Sequence, residues 1–111
     1  MNILACGQVP LRTVGARGSL LAAAQWMERW RTERGSYLNG ANLPPLPITV
    51  SPPTGTVRYN IGLINTNAAA YTLEATPVGS MANDACGNLT LNNLGVRGRT
   101  GTADMNLCWG R

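Results

Sequence analysis

Two cysteines, three arginines and a handful of hydroxyls are the residues of this chain able to do chemistry. Cys86 and Cys108 bracket "CGNLTLNNLGVRGRTGTADMNLC", a run rich in Gly, Asn and Thr, and Cys6 stands far away near the start. A catalytic thiol needs a base beside it, and a structural zinc site needs about four ligands. The sequence contains no His and three cysteines in all, so neither chemistry has its parts. What remains for Cys86 and Cys108 is a disulfide, with Cys6 left over. Closing a loop of about 22 residues contributes on the order of 3 kcal/mol in the chain-entropy account.

The other candidates are weaker. Ser19, Ser36, Ser51 and Ser80 have no His to activate them, and the glycines form no phosphate-binding GxxxxGK[ST] run. Glu28, Glu33, Glu74, Asp84 and Asp104 are scattered, and Asp84 with Asp104 is a poor oxygen set for a hard cation. No enzymatic activity, cofactor or metal is expected. Nine basic residues, all Arg, against five acidic ones give a formal charge of +4, which favours acidic partners. Arg97 and Arg99 in "GVRGRTG" and Arg58 in "TVRYNIG" suit contact with phosphates and base edges, so DNA is a candidate ligand beside the plainer reading of these arginines as a solvated surface. Dispersed arginines with no recognition helix imply little reading of base sequence.

These side chains need a frame. With 111 residues, 44% of them apolar and no Phe, the chain has material for one domain with a modest core. In "ARGSLLAAAQWMERWRTERGSY" the residues Leu20, Ala23, Ala24, Met27 and Trp30 recur at helical spacing. The pattern predicts an amphipathic helix from Ala16 to Arg34, stopped by Gly35. Trp26 and Trp30 are expected to seal its seam, with solvated pairs Glu28–Arg31 and Arg29–Glu33 on the outer face.

The stretch from 36 to 55 reads as a long Pro-rich surface connection. It holds Pro44, Pro45, Pro47, Pro52 and Pro53, too many for a helix or a central strand. Leu43, Leu46 and Ile48 are expected to pack inward from it. From 56 to 111 the text turns to sheet. Val57, Tyr59, Ile61 and Leu63 alternate with polar or small residues, as do Tyr71, Leu73 and Ala75, and "NTNA" between the runs is hairpin chemistry. Leu89 and Leu91 mark a third strand, and "MNLCW" is read as a fourth. The expectation is an α+β domain of one helix laid across an antiparallel sheet of about four strands.

The opening "MNILACGQVPLRTVG" has no basic region and too short an apolar run for a signal peptide, and "ILAC" resembles a lipoprotein cleavage box without the basic and apolar regions that precede one. Residues 1–15 are read as a leader of non-native origin that includes Cys6, with 16–111 a single globular domain.

Taken in order, "AAAQWMERWRTERGSY", the Pro-rich loop, "YTLEATPVGSMANDACGNLTLNNLGVRG" and the closing "CW" resemble minor pilins of the PilE kind from bacterial type IV pili. The likeness spans Ala16 to Trp109 and is most specific from Tyr71 to Gly98. It implies a pilin fold in which the helix from Ala16 is the amphipathic second half of a longer one. The apolar first half of such a helix anchors the subunit in the inner membrane, facing the periplasm, before it enters the extracellular pilus. It also implies contact with other pilin subunits through the helix and the Pro-rich loop, with roles in assembly, adhesion or twitching. Two further readings stay open: a DNA-binding competence pilin, similar to ComP, that uses Arg58, Arg97 and Arg99; and a pseudopilin of type II secretion, disfavoured by the thin calcium set.

Overall fold

The computed structural model describes residues 11–52, 54–79, 82, 85–103 and 105–109, with the backbone alone described at 11–14, 106 and 107. Cys6, the first ten residues of the expected leader, Ser80, Asp84 and Asp104 lie outside the described residues.

Helix α1 spans Leu11–Arg34. Ala16, Leu20, Ala23, Met27 and Trp30 are its buried stripe, advancing by alternate steps of four and three as a 3.6-residue period requires. Alanine at two of the five positions lets the helix lie close to the sheet. The helix ends where Gly35, at φ 78°, turns left-handed and its N–H donates to the Arg31 carbonyl at 2.6 Å. It begins five residues earlier than the spacing indicated. Gly15 and Gly18 weaken helix propensity by about 1 kcal/mol each, which obscures the first turns in the sequence. Packing prevails there: Ala16 and Leu20 are fully buried, and Gly15 lies over the Ser51 side chain of the sheet.

The sheet is a five-stranded antiparallel meander in the order β1-β2-β3-β4-β5: β1 Val50–Ser51, β2 Tyr59–Ile64, β3 Thr72–Pro77, β4 Leu89–Asn92 and β5 Arg97–Arg99. Its register pairs Ile61 with Ala75, Ala75 with Leu89 and Leu89 with Arg99. Directly opposed residues share a face. Tyr59, Ile61, Leu73, Ala75, Leu89 and Leu91 therefore form one buried surface beneath α1. The predicted β2–β3 hairpin is present, its loop shaped by Asn65 at φ 48° and by Asn67, whose Oδ1 accepts from the Ala69 N–H at 2.8 Å.

Three expectations are corrected. "MNLCW" is not a strand: Met105–Trp109 forms a short helix, α2. Cys108 and Trp109 are neighbours and both buried, at 0% and 4% exposure, which a strand with alternating faces would not allow. The last strand is instead "RGR", which has no apolar alternation to announce it. Leu43 is 53% exposed and does not pack inward, whereas Leu46 and Ile48 lean on the core as expected. On the outer face Glu33 pairs with Arg34 at 3.3 Å rather than with Arg29, and Glu28 accepts a hydrogen bond from Tyr37.

Candidate nucleic-acid interface

The disulfide joins Cys86, just before β4, to Cys108 in α2, with 5.8 Å between their Cα atoms. It closes a second layer of ties. The backbone N–H groups of Gly101, Thr102 and Ala103 donate to the carbonyls of Cys86 and Ala85, and the Thr100 N–H donates to the Asn88 carbonyl. Asn88 is held in return by Thr100 Oγ1 at 2.8 Å and by Glu74 Oε2 at 3.0 Å. The approach is close enough to require glycine. A Cβ on Gly101 would sit 1.9 Å from the Ala85 carbonyl oxygen, and one on Gly98 would sit 2.5 Å from Thr90 Oγ1. The Gly-rich composition between the cysteines is the signature of this packing.

Upon that frame sits the edge hairpin. Asn92 Oδ1 accepts from the N–H groups of Leu94 and Val96, each at 2.9 Å, and fixes a turn whose tip exposes Leu94 and Val96. Arg97 and Arg99 follow on β5. Opposed to Leu91 and Leu89, they carry the inner face of the sheet out to its edge, where α1 no longer covers it. The Arg97 guanidinium lies 5.2 Å from the Trp109 ring centroid, while Trp109 Nε1 donates to the Gly98 carbonyl at 2.9 Å. Arg99 Nε donates to the Ala103 carbonyl, so Arg99 also pins the disulfide loop.

Arg58 stands elsewhere. It precedes Tyr59 at the start of β2, where its N–H donates to Ser51 and its carbonyl accepts from Val78. Three strand spacings, about 14 Å, separate β2 from β5. The structure brings Arg97 and Arg99 together and leaves Arg58 apart. Arg17 takes its place at the edge: with Gly18, Leu21, Arg97 and Trp109 it lines a cleft of about 250 Å³ between α1 and β5. Arg17 lies within the helix that the spacing predicts, but nothing local in the sequence marks it, because its neighbours Arg97 and Trp109 come from the far end of the chain. Beside it lies a groove of about 390 Å³ bordered by Leu21, Gln25 and Glu28 of α1 and by Asn92, Gly95 and Arg97 of the hairpin.

At the far end of α1, Tyr37 Oη donates to Glu28 Oε2 at 2.8 Å and meets Tyr71 edge-on, ring centroids 4.9 Å apart. Trp26 and Trp30 stack at 5.2 Å, and Trp30 Nε1 donates to the Leu38 carbonyl at 3.2 Å, sealing helix to loop rather than helix to sheet. Burial pushes both tyrosine hydroxyls up from their ordinary pKa, Tyr71 the further, and the adjacent Glu28 carboxylate adds to each. Arg31 opposes part of the rise at Tyr37. A raised folded-state pKa gives a contribution complete below the unfolded value near pH 10 and lost as pH rises past it. Urea midpoints are accordingly expected to hold level from about pH 7 to pH 9 and to fall above about pH 10. In the double variant Tyr37→Phe/Tyr71→Phe that alkaline fall should flatten.

Among the described residues no group of three His, Cys, Asp or Glu side chains is placed to hold a metal, and no helix is long and apolar enough to cross a membrane. Against known proteins, the family described as "Type IV minor pilin ComP, DNA uptake sequence receptor" matches residues 12–90. The chain belongs to this type IV minor pilin family. Solved structures agree with the assignment. The non-core minor pilin PilV of Neisseria meningitidis superposes with a TM-score of 0.64 at 25% identity, over 85% of this chain and 88% of that one. A type IV pilin of Shewanella oneidensis gives 0.57 at 25% identity, over 78% and 85%. No curated relative matches by sequence. This minor pilin has the pilin fold, one helix on an antiparallel sheet with a C-terminal disulfide, and as a type IV pilin it is a pilus component that assembles with other pilin subunits.

Proposed function

We propose that this minor pilin is a DNA receptor of a type IV pilus, contacting the duplex through the arginine edge formed by Arg17, Arg97 and Arg99. The observation that carries the reading is the match over residues 12–90 to the family described as the DNA uptake sequence receptor. The charge agrees with it: formally +4, with Arg17 and Arg97 lining one cleft at an open sheet edge. Phosphate contacts of this kind hold and orient a duplex, while discrimination among sequences comes from base-edge contacts. The exposed hairpin tip at Leu94 and Val96, beside the amides of Asn92 and Asn93, is the part of this edge placed to reach into a groove. The subunit performs no catalysis of its own.

In the pilus, the Pro-rich segment and the side of α1 away from Arg17 face neighbouring subunits and leave the disulfide-bounded edge, Arg17 included, outward. Before assembly the subunit is held at the inner membrane, facing the periplasm. Deleting the gene in its bacterial host tests the division of labour: uptake of labelled DNA should fall by an order of magnitude or more, with pili still present in normal number. Loss of the pili themselves, with purified protein that retains no DNA, would make the subunit purely structural.

A further inference from the structure

Arg17 Nε is buried and has no hydrogen-bond partner among the described residues. The described residues also place no carboxylate in ion-pair contact with Arg17 or Arg97, the pair Arg34–Glu33 lying at the other end of the helix. Arg17 and Arg97 thus line one cleft together with Trp109, and the Arg97 guanidinium lies 5.2 Å from the Trp109 ring centroid. That ring is held in place, because Trp109 Nε1 is tied to Gly98 and the preceding residue is the disulfide-bonded Cys108. Gly18, between Arg17 and Leu21 on the same helical turn, adds no side chain to the cleft, and the space beside it is open.

A buried, charged donor left unpaired is costly, and two like charges sharing a partly apolar cleft repel each other. One tetrahedral oxyanion between them relieves both penalties, because the planar fork of arginine presents paired N–H donors to adjacent oxygens. Leu21 and Trp109 exclude water from part of the contact and strengthen it. We infer that Arg17 and Arg97 form a single oxyanion seat against Trp109, and that it takes one phosphodiester group of bound DNA. The seat rests on the receptor reading and adds to it a defined phosphate position.

Nuclear magnetic resonance of the Arg Nε–H and Trp Nε1–H groups tests this in the 111-residue chain, titrated with inorganic phosphate and, separately, with a short DNA duplex. The Arg17 Nε–H and Trp109 Nε1–H signals should move and saturate in both titrations. Arg17→Gln and Arg97→Gln should each weaken both affinities by about tenfold, one charge-assisted hydrogen bond's worth. Arg17→Lys, which keeps the charge and lacks the fork, should lose most of the same affinity. Arg29→Gln, on the exposed face of α1, should lose none.

Signals that drift without saturating, or an Arg17→Gln variant with native affinity for both probes, overturn the seat and leave a water-filled cleft. Duplex binding that survives Arg17→Gln and Arg97→Gln overturns the seat and spares the receptor reading. Phosphate that saturates the cleft of a protein with no affinity for duplex overturns the receptor reading, and the phosphodiester assignment with it. A native pattern of dispersed signals in each variant establishes that it is folded.

Discussion

Without the Cys86–Cys108 bond, the domain is expected to lose about 3 to 5 kcal/mol of stability. The size of the loss follows from what the bond holds. Among the described residues, α2 has its widest contacts with β5 and α1, and β5 itself is three residues long and paired to β4 alone. Arg97 and Arg99 bury little apolar surface there. Reduction therefore frees both ends of a loop whose remaining anchors are a few backbone hydrogen bonds, the side chains of Thr100 and Arg99, and the Trp109 indole. Domains of this size are stable by about 5 to 15 kcal/mol, so the double variant Cys86→Ala/Cys108→Ala should shift the urea midpoint by a large fraction of its range. A second consequence separates a local effect from a global one. Amide hydrogen exchange at Gly101 to Ala103 should accelerate before exchange at Leu73 and Ala75, because the meander β2–β3–β4 keeps its own core. A midpoint unchanged on reduction would show that the loop is held by packing and not by the bond.

Gly101→Ala should cost nearly as much, about 3 to 4 kcal/mol. The added carbon would lie 1.9 Å from the Ala85 carbonyl oxygen and 2.7 Å from the carbonyl carbons of Ala85 and Cys86. These are backbone atoms that cannot turn aside, so the strand-like pairing of 85–88 with 100–103 has to open. Its donors from Gly101, Thr102 and Ala103 would then lose their partners. Gly18→Ala is the matching control. It lies inside α1 with nothing within 4 Å of the new carbon, and replacing glycine there should stabilise the domain by about 0.4 to 1 kcal/mol. Urea unfolding of the two variants beside the native chain reads both signs. Equal effects at positions 101 and 18 would show that the close approach at Gly101 is not a constraint.

The parts of this fold with strong periodicity were legible in the sequence. Leu20, Ala23, Met27 and Trp30 announce α1, Tyr59 and Ile61 announce β2, and Tyr71, Leu73 and Ala75 announce β3, because each set must bury one face and spacing records which face that is. The disulfide was legible by chemistry, since a chain without His leaves paired cysteines few other roles. The parts held by backbone alone were hidden. Strand β5 is "RGR", stabilised by its pairing with β4 and by the close seat of Gly98 on Thr90, neither of which produces an apolar pattern. The C-terminal helix α2 reads as a strand in the sequence because five residues are too few to tell one period from the other.

The arginine edge was half legible for the same reason. Arg97 and Arg99 stand out in the Gly-rich run "GVRGRTG", which the fold makes the edge strand β5. Arg58 looked equivalent in the sequence, yet the order of the meander puts it three strands away. Arg17 sits inside the expected helix, and only the packing of α1 against the sheet edge brings it to the cleft beside Trp109 and Arg97. Proximity across the sheet depends on strand order, which is a property of the whole chain and not of the residues around each arginine.

The central claim, that this minor pilin holds DNA through that edge, is tested most directly by titrating fluorescent duplexes of several sequences with the purified chain at two salt concentrations. If Arg17, Arg97 and Arg99 neutralise about three phosphates, the logarithm of affinity should fall with the logarithm of salt at a slope of roughly −2 to −3, and Arg97→Ala should make that slope shallower by about 1. A receptor for a particular sequence should also favour one duplex by about 1 to 3 kcal/mol for each base pair it reads. No binding at about 100 micromolar protein in low salt, a range that covers ordinary non-specific affinity, or a slope identical in the native and Arg97→Ala proteins, would contradict the account.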